Sequence, residues 1–549
     1  MGDSVGDSVS KPATKTENPV KDRSAFGWFI HKTFEGVRSQ FARRPKVTII
    51  ATVVFLALLF HFRWAYQPLV VGLRMYMGAV IIMAITGSLA WWFTKKRSGK
   101  VRFIAIVGSH VLMAFVLFLA TPVNRYVTSY LGYNSLKIVD LESLPTTANE
   151  RVLPKRVVET LVNERVGDSR YSPTEADLVN SGTGDVWTLA IEPSRFFGRF
   201  NGQVTEIVKI PADSPSPDFS RTNRIDVKFN TGENMLWGDN IRRCTTRGFG
   251  LFRFMNYEPG NILYMQDDNE EWVQVVSLIR WKGIFFPRPE FGGVQILRQE
   301  KSVPGWRRFL QPIIGCGQYV SPKKIHKYPF LQGQNLVAPQ VSRFIAESFR
   351  FQNGFTAPLP GVHKGDIRIP DLSDDVNPQP FTMHFKMPGE TEGELYAYFS
   401  LEPYKSDALD TYDSRGLSVS LFVPADGSRQ VYQYRHADRG ASLIGVSAVT
   451  PKVEESKDTV NWDQFRPVEH RPFIRTMKNS QGVSETRLLW MTTVVRVSNT
   501  NAEDGQRELV AGTMPSIVIT DARTGVVVWV DPLKSNLWIS EMEEALSGL

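Results

Sequence analysis

Long apolar runs dominate the beginning of the chain, and the pattern changes after about residue 121. Three apolar stretches cover residues 47–64, 69–93 and 103–121. A helix rises about 1.5 Å per residue and the hydrocarbon core of a bilayer is about 30 Å thick, so each stretch is long enough, or nearly so, to cross a membrane. The pattern therefore predicts a membrane protein with three N-terminal transmembrane helices.

Basic residues beside the predicted spans indicate which side of the membrane each end faces. Arg43 and Lys46 precede the first span, and residues 95–102, between the second and third spans, include five Lys or Arg. The loop between the first two spans contains only Arg63 and Arg74, both close to a membrane edge. Because positive loops stay in the cytoplasm, we expect a cytoplasmic N-terminus and an extracytoplasmic C-terminal region. The alternative is two true spans and one buried hairpin.

The residues before the first span form two segments. Residues 1–20 are mostly Ser, Thr, Asp, Lys, Gly and Pro, a composition typical of disorder, and we expect a disordered cytoplasmic leader. In residues 21–46, apolar positions recur at roughly helical spacing with Lys and Arg between them. This predicts a basic amphipathic helix in the membrane interface, with a helix packed on a partner as the alternative.

The sequence after the spans has the short apolar alternations of β-strands. Leu417, Val419, Leu421 and Val423 alternate without a break, and two β-branched runs flank residues 521–525, which predicts a hairpin. Helical patterns are few, and the clearest are at 155–166 and 341–351. We expect a mainly β, possibly α+β, extracytoplasmic region.

A stretch rich in Pro and Asp, at 366–380, is the candidate boundary within this region. It would divide a first β-rich domain at 150–365 from a second at 380–549. The two ranges are long enough for one domain each, at about 100–200 residues per domain.

Charge and glycosylation signals bear on partners and origin. The net charge is +8, but residues 1–46 alone contain nine Lys or Arg against five Asp or Glu, which we attribute to the topology signal. No basic stripe is visible after the spans, so we expect no nucleic-acid partner. The absence of any Asn-x-Ser/Thr acceptor favours a bacterial or phage-derived membrane protein.

The chain contains only two cysteines, Cys244 and Cys316. In an oxidising compartment they would form one disulfide that closes a loop of about 70 residues, and otherwise they are two buried free thiols. Glycines on both sides of Cys316 would also let a thiol approach a ligand, although a bonded or core cysteine is the more ordinary interpretation. Two cysteines exclude a Cys-based zinc cluster.

The familiar catalytic and metal-binding motifs are missing from the sequence. G-x-S-x-G, H-E-x-x-H, the Walker A loop and G-x-G-x-x-G do not occur, and no pair of His residues has metal-ligand spacing. We therefore expect no cofactor and no metal. His436 and Asp438 could share a strand face and join Ser442 or Ser447 in a triad, but a large domain contains several such combinations by chance.

Two polar residues lie near the middle of the third predicted span. An ionisable group at membrane depth is a candidate functional site, and here that site is Ser109 with His110. A neutral His that hydrogen-bonds to a neighbouring helix is the simpler interpretation. Gly72, Gly78 and Gly87 would allow close helix packing, which makes a homo-oligomer through the transmembrane helices plausible.

An aromatic and proline-rich segment is the candidate binding surface. Trp281, Phe285, Phe286 and Phe291 lie within eleven residues, with two prolines between them. If these side chains are exposed they form a surface for a partner or ligand, and if they are buried they are part of a β-domain core.

Taken together, these patterns predict a non-enzymatic protein anchored in the bilayer, with the bacterial inner membrane favoured. Its β-rich region would bind or scaffold a protein partner outside the cytoplasm. One alternative is an extracytoplasmic hydrolase with a site assembled from distant residues, for example around His436 or Cys316. A second alternative is a subunit of an oligomeric channel or transporter, with Ser109 and His110 facing a lumen.

Overall fold

The computed structural model describes most of the chain after residue 44. The described residues are 45–149, 152–166, 169–182, 184–213, 223–299, 315–363, 365–370, 379–404, 416–428, 430–436, 438, 440, 442–478, 481–498, 508–509, 516–531 and 538–547. The predicted leader at 1–20 and nearly all of the predicted interfacial helix at 21–46 lie outside them.

Eleven α-helices lie in the described part of the chain, and four of them precede the first strand. They are α1 Pro45–His61, α2 Arg63–Met75, α3 Met77–Thr94, α4 Gly99–Tyr133, α5 Lys155–Val166, α6 Phe196–Asn201, α7 Ile241–Arg247, α8 Leu251–Phe254, α9 Pro339–Ser348, α10 Val449–Glu455 and α11 Trp538–Ser547. The helix predicted at 155–166 is confirmed as α5, and the one predicted at 341–351 corresponds to α9 and the 3₁₀ turn after it.

Twenty-one strands follow the first four helices or lie between the later ones. They are β1 Lys137–Asp140, β2 Thr146–Thr147, β3 Tyr171–Pro173, β4 Asp177–Asn180, β5 Asp185–Pro193, β6 Val204–Pro211, β7 Asn223–Phe229, β8 Tyr257–Gln266, β9 Trp272–Lys282, β10 Arg288–Arg298, β11 Gln318–Val320, β12 Ile367–Arg368, β13 Phe381–Lys386, β14 Glu394–Pro403, β15 Val419–Pro424, β16 Gln430–Arg435, β17 Phe465–Lys478, β18 Ser484–Ser498, β19 Glu508–Leu509, β20 Ser516–Asp521 and β21 Val527–Val530.

These strands form four sheets. The largest has seven strands in the order β1-β16-β15-β14-β13-β2, with β12 beside β14. The others have the orders β11-β10-β9-β8, β3-β5-β6-β7 with β4 beside β5, and β17-β18-β20-β21 with β19 beside β18. Only the β1–β16 pair is parallel among the described strands. The four sheets confirm the prediction of a β-rich region with helices.

The chain divides into two compact units. The first contains residues up to Leu59 together with Gly78–Thr121, and the second, which we call the β-rich unit, contains Phe60–Met77 and Pro122–Leu549. Both predicted domains, 150–365 and 380–549, lie in the β-rich unit. One hydrophobic core there packs Trp187 from the first range against Leu395 and Val468 from the second.

The predicted spans correspond to helices with different boundaries. The span at 47–64 covers most of α1, the span at 69–93 is divided between α2 and α3 with a break at Tyr76, and the span at 103–121 lies within α4. Within the described residues, no single helix meets the length and hydropathy expected of a membrane crossing, whereas the pair Ile49–His61 and Arg63–Arg74, bent by 75°, meets them jointly. Three complete transmembrane helices therefore remain a prediction.

Candidate functional site

Helix α2 lies on the β-rich unit with both polar and apolar side chains inward and two leucines outward. Arg63, Gln67 and Val71 are 5%, 3% and 1% exposed, whereas Leu69 and Leu73 are 65% and 51% exposed. A surface helix in water typically presents polar side chains on its outer face. The outward leucines of α2 are therefore suited to an apolar environment.

Contacts from the inner face fix the rotation of α2 about its axis. The guanidinium group of Arg63 donates to the backbone carbonyl of Arg247, and Gln67 Nε2 donates to the carbonyl of Tyr257 over 2.6 Å. The ring of Trp64 is buried, and its centroid lies 5.4 Å from the guanidinium carbon of Arg247, a cation–π contact. Turning the leucines inward would break all three contacts.

The end of α2 is attached to the turn between β9 and β10. Arg74 Nη2 donates to the carbonyl oxygens of Trp281 at 3.3 Å and Gly283 at 3.0 Å. Gly283 has a φ of +107°, a conformation that favours glycine, and a Cβ there would lie 2.7 Å from the carbonyl oxygen of Phe286. The tight turn and the helix end therefore hold each other in place.

The structure divides the predicted aromatic surface between the molecular surface and the core. In the turn after Trp281, Ile284 is 60% exposed and Phe285 is 51% exposed, and Phe286 is also exposed. Trp281 itself is partly buried, and Phe291 is in the core. The exposed apolar group at this turn is therefore Ile284, Phe285 and Phe286, and the first of these was not part of the prediction.

Other exposed aromatic side chains lie near points where the chain passes between the two units. Trp237 contacts Trp64, near the start of α2, with 6.2 Å between ring centroids. Phe355 contacts Tyr126, near the return of the chain in α4, with 5.1 Å between centroids. These exposed apolar residues all belong to the β-rich unit, and we refer to them together as the junction surface: Leu69, Leu73, Trp237, Phe252, Ile284, Phe285 and Phe355.

The two cysteines form a disulfide beside α2. Cys244, in α7, is bonded to Cys316, which precedes β11, and their Cα atoms are 5.4 Å apart. Both are buried. The bond joins the helix that accepts the hydrogen bond from Arg63 to the edge strand of the β8–β11 sheet.

A cavity of about 430 Å³ lies beside the β9–β10 hairpin. This volume is within the range of about 300–1,000 Å³ typical of small-molecule sites. One wall is apolar and comes from β10, the segment before α9, and α9 itself. Its main residues are Phe291, Val337, Val341, Phe344 and Ile345.

The charged residues that line the cavity carry more positive than negative charge. Arg280, Arg288 and Lys323 line it together with one carboxylate, Glu290. Arg288 Nε lies 3.4 Å from Glu290, so this pair neutralises itself. Arg280 and Lys323 are exposed and have no carboxylate partner among the described residues. The cavity therefore has two cations available for an anionic group.

Two tyrosines, Tyr257 and Tyr319, also line the cavity. Burial raises the pKa of Tyr319 above its ordinary value, and the neighbouring Tyr257 raises it further. The Tyr319 hydroxyl donates to the carbonyl of Gly292 over 3.0 Å. Because the carbonyl of Tyr257 also accepts the hydrogen bond from Gln67, the cavity wall is connected directly to α2.

The candidate triad residues do not come together. His436 Nε2 bonds to the hydroxyl of Ser420 at 2.9 Å, and both residues are buried, which closes this pair to a substrate. Asp438 instead lies 3.8 Å from Arg435, and Ser447 donates to a different carboxylate. The described His networks are therefore structural.

The predicted intramembrane site has only one described side chain. Ser109 Oγ donates to the carbonyl of Ile106 within α4 over 2.8 Å, and the side chain of His110 lies outside the described residues. No group of three or more His, Cys, Asp or Glu in the described part of the chain is arranged to hold a metal ion.

The described residues thus offer an outward apolar surface and a cationic cavity. No protein-family model, no curated protein and no solved structure matches this chain.

Proposed function

We propose that this chain is a membrane-anchored binding or scaffold protein, non-enzymatic, whose β-rich unit lies at the bilayer surface outside the cytoplasm. The observation that carries the proposal is the orientation of α2. Its hydrogen-bonding side chains face the protein and Leu69 and Leu73 face outward. Removing apolar surface from water contributes about 25 cal/mol per Å², so contact with lipid stabilises this orientation.

The helices of the first unit add a second reason for lipid contact. Large apolar side chains on α1 and α3 are exposed, and examples are Phe55, Leu56, Ile85, Trp92 and Phe93. Patches of this extent are rare on monomers in water, where they mark an interface with a membrane or a protein. Basic residues at 95–102 follow α3 directly, as expected for the cytoplasmic end of a span.

The disulfide supports an extracytoplasmic location for the β-rich unit. Disulfides persist in oxidising compartments such as the bacterial periplasm and are rare in the cytosol. The bond between Cys244 and Cys316 therefore agrees with the orientation given by the basic residues. The bacterial inner membrane satisfies both requirements.

The junction surface also supports a role in binding a protein partner. The β-rich unit is too large to serve only as an anchor, and its Ser420–His436 pair is closed to solvent. Ala84 and Ser88 are small, exposed residues on α3 that would permit close packing of a second copy, so self-association through the membrane is part of the proposal.

The test is a topology measurement on the full chain in a bacterium. An alkaline phosphatase fused after Leu549 should be active, because this enzyme folds only outside the cytoplasm, and the same reporter inserted at Ser98 should be inactive. Alkaline carbonate should leave the chain in the membrane pellet. Release by carbonate, or activity of the Ser98 fusion alone, would contradict the proposal.

A further inference from the structure

We propose that the cavity beside the β9–β10 hairpin binds one anionic phospholipid. The phosphate would contact Arg280 and Lys323, and an acyl chain would lie along Phe344 and Ile345. This site goes beyond the anchoring role, because lying on a bilayer requires no internal ligand. It rests on the proposed function only for access to lipid.

The apolar lining of the cavity suits an acyl chain. Val341 and Phe291 are buried, and both line the cavity together with Phe344. The Phe344 ring also packs against the end of α4, where a Cβ at Gly132 would lie 2.8 Å from it. The apolar lining therefore comes in part from α9, which packs against the C-terminal end of α4.

The cations that line the same cavity suit a phosphate. Arg280 is directly opposite Glu290 in the β9–β10 register, which places both side chains on the face that lines the cavity. Glu290 is balanced by Arg288 at 3.4 Å and by Lys282 at 3.5 Å. Arg280 and Lys323 have no carboxylate partner among the described residues, so they remain for a ligand. A guanidinium group binds phosphate with two parallel hydrogen bonds.

Access to lipid follows from the same hairpin. Its tip carries the exposed Ile284 and Phe285 of the junction surface, and Arg280 is four residues before Ile284. A strand advances about 3.3 Å per residue, so Arg280 lies within about 15 Å of the tip along the hairpin. If the tip inserts among lipid headgroups, the cavity is within reach of a lipid phosphate.

The experiment is native mass spectrometry of the full chain, purified in a mild detergent and titrated with phosphatidylglycerol. We expect one tightly held lipid and, in the variant Arg280→Ala/Lys323→Ala, affinity lower by about tenfold or more, because charged hydrogen bonds contribute about 1.5–3 kcal/mol each. The matched control is Arg195→Ala/Lys324→Ala, which removes the same charge from exposed positions that do not line the cavity. It should bind as the parent does.

Two further titrations identify the ligand. Zwitterionic phosphatidylcholine should bind at least several-fold more weakly than phosphatidylglycerol, and inorganic phosphate should not displace the lipid. Equal affinity of the cavity and control variants, or complete displacement by inorganic phosphate, would overturn the lipid site. Carbonate extraction of the membranes from which each protein is purified separates the two proposals: a chain that stays in the membrane but holds no lipid after purification refutes this site alone.

Discussion

Arg74 Nη2 donates to the carbonyl oxygen of Gly283 over 3.0 Å, so the last turn of α2 is attached to a hairpin more than 200 residues later in the chain. The contact brings the outward leucines of α2 and the apolar tip at Ile284 and Phe285 into one region. It is the structural basis of the junction surface, and it can be removed with one substitution.

Arg74→Ala should destabilise the β-rich unit by about 1–2 kcal/mol, because a charged donor is lost from two backbone carbonyls. Thermal unfolding of the purified chain in detergent measures this. Arg97→Ala removes an exposed Arg from the loop after α3 and is the control. An equal effect of the two substitutions would show that the Arg74 contact contributes nothing.

The disulfide should stabilise the same region. Cys244 and Cys316 are separated by 72 positions, and cross-links that close loops of this length typically stabilise a fold by about 2–4 kcal/mol. Cys244→Ala/Cys316→Ala should therefore lower the unfolding midpoint, and a reductant should lower the midpoint of the parent but not of the variant. Two reactive thiols in the folded parent would contradict the bond.

His470 should make the β-rich unit sensitive to acid. Burial, with Arg471 nearby, lowers the pKa of His470 from 6.5 to about 3, while its ring nitrogens bond to the hydroxyls of Thr450 and Thr492. As pH falls below 6.5, the unfolded chain takes up a proton that the folded chain does not. The free energy of unfolding therefore decreases as pH falls from 6.5 to 3.

The variant His470→Gln keeps the polarity without the titration. Its stability should fall less steeply with acid than that of the parent, by up to about 1.4 kcal/mol per pH unit. Urea unfolding midpoints between pH 7 and 4.5 measure the slopes. Parallel slopes for the two proteins would mean that His470 takes up its proton at the same pH in the folded and the unfolded chain.

Asp177 should have the opposite pH dependence. Burial is the main cause that raises the pKa of Asp177 from 3.8 to about 7, against the favourable charge of Lys155. Between these values the folded chain keeps a proton that the unfolded chain has lost, so the contribution of this group falls as pH rises from 3.8 to 7. Asp177→Asn should therefore stabilise the chain at pH 8, on the order of 1–3 kcal/mol.

The pH comparison also provides the control for this substitution. At pH 4 the gain from Asp177→Asn should shrink, because Asp177 is then protonated in the folded parent and about half protonated in the unfolded chain. Asp213→Asn, at an exposed position, should change little at either pH. If Asp177→Asn destabilises the chain at pH 8, the carboxylate is ionised and supported by Lys155.

Local patterns in the sequence predicted the local structure well. The helix α5 begins and ends at the predicted residues, and the loop at 521–525 does connect two antiparallel strands, β20 and β21. In each case the signal lies within about a dozen residues. Alternation and helical spacing report directly on which side chains are buried over such a distance.

The orientation of α2 could not be predicted from the sequence, because its partners are far along the chain. Residues 69–75 belong to a mostly apolar run that resembles the start of a span, yet Gln67 and Arg74 bind the carbonyls of residues 257 and 283. Hydrogen bonds to such distant groups leave no local pattern. These hydrogen bonds hold α2 on the β-rich unit.

The cavity was missed for the same reason. Arg280, Lys323 and Phe344 come from three separate segments, and only the fold places them around one space. The burial of Phe291 likewise depends on a distant residue, since a Cβ at Gly427 would overlap its ring. The alternation of Arg280, Lys282 and Arg288 around the aromatic turn was the one available signal of a basic site.

The central claim is that the junction surface contacts lipid, and a depth measurement tests it most directly. Nitroxide labels would be attached to the variants Leu73→Cys and Phe285→Cys in bilayers, since both native cysteines are already bonded. Val483→Cys, at an exposed apolar position in the β17–β18 turn, is the matched control. We expect both junction labels to be relaxed more by oxygen than by a water-soluble nickel complex, and the control label to show the reverse. Junction labels that behave as the control does would contradict the account.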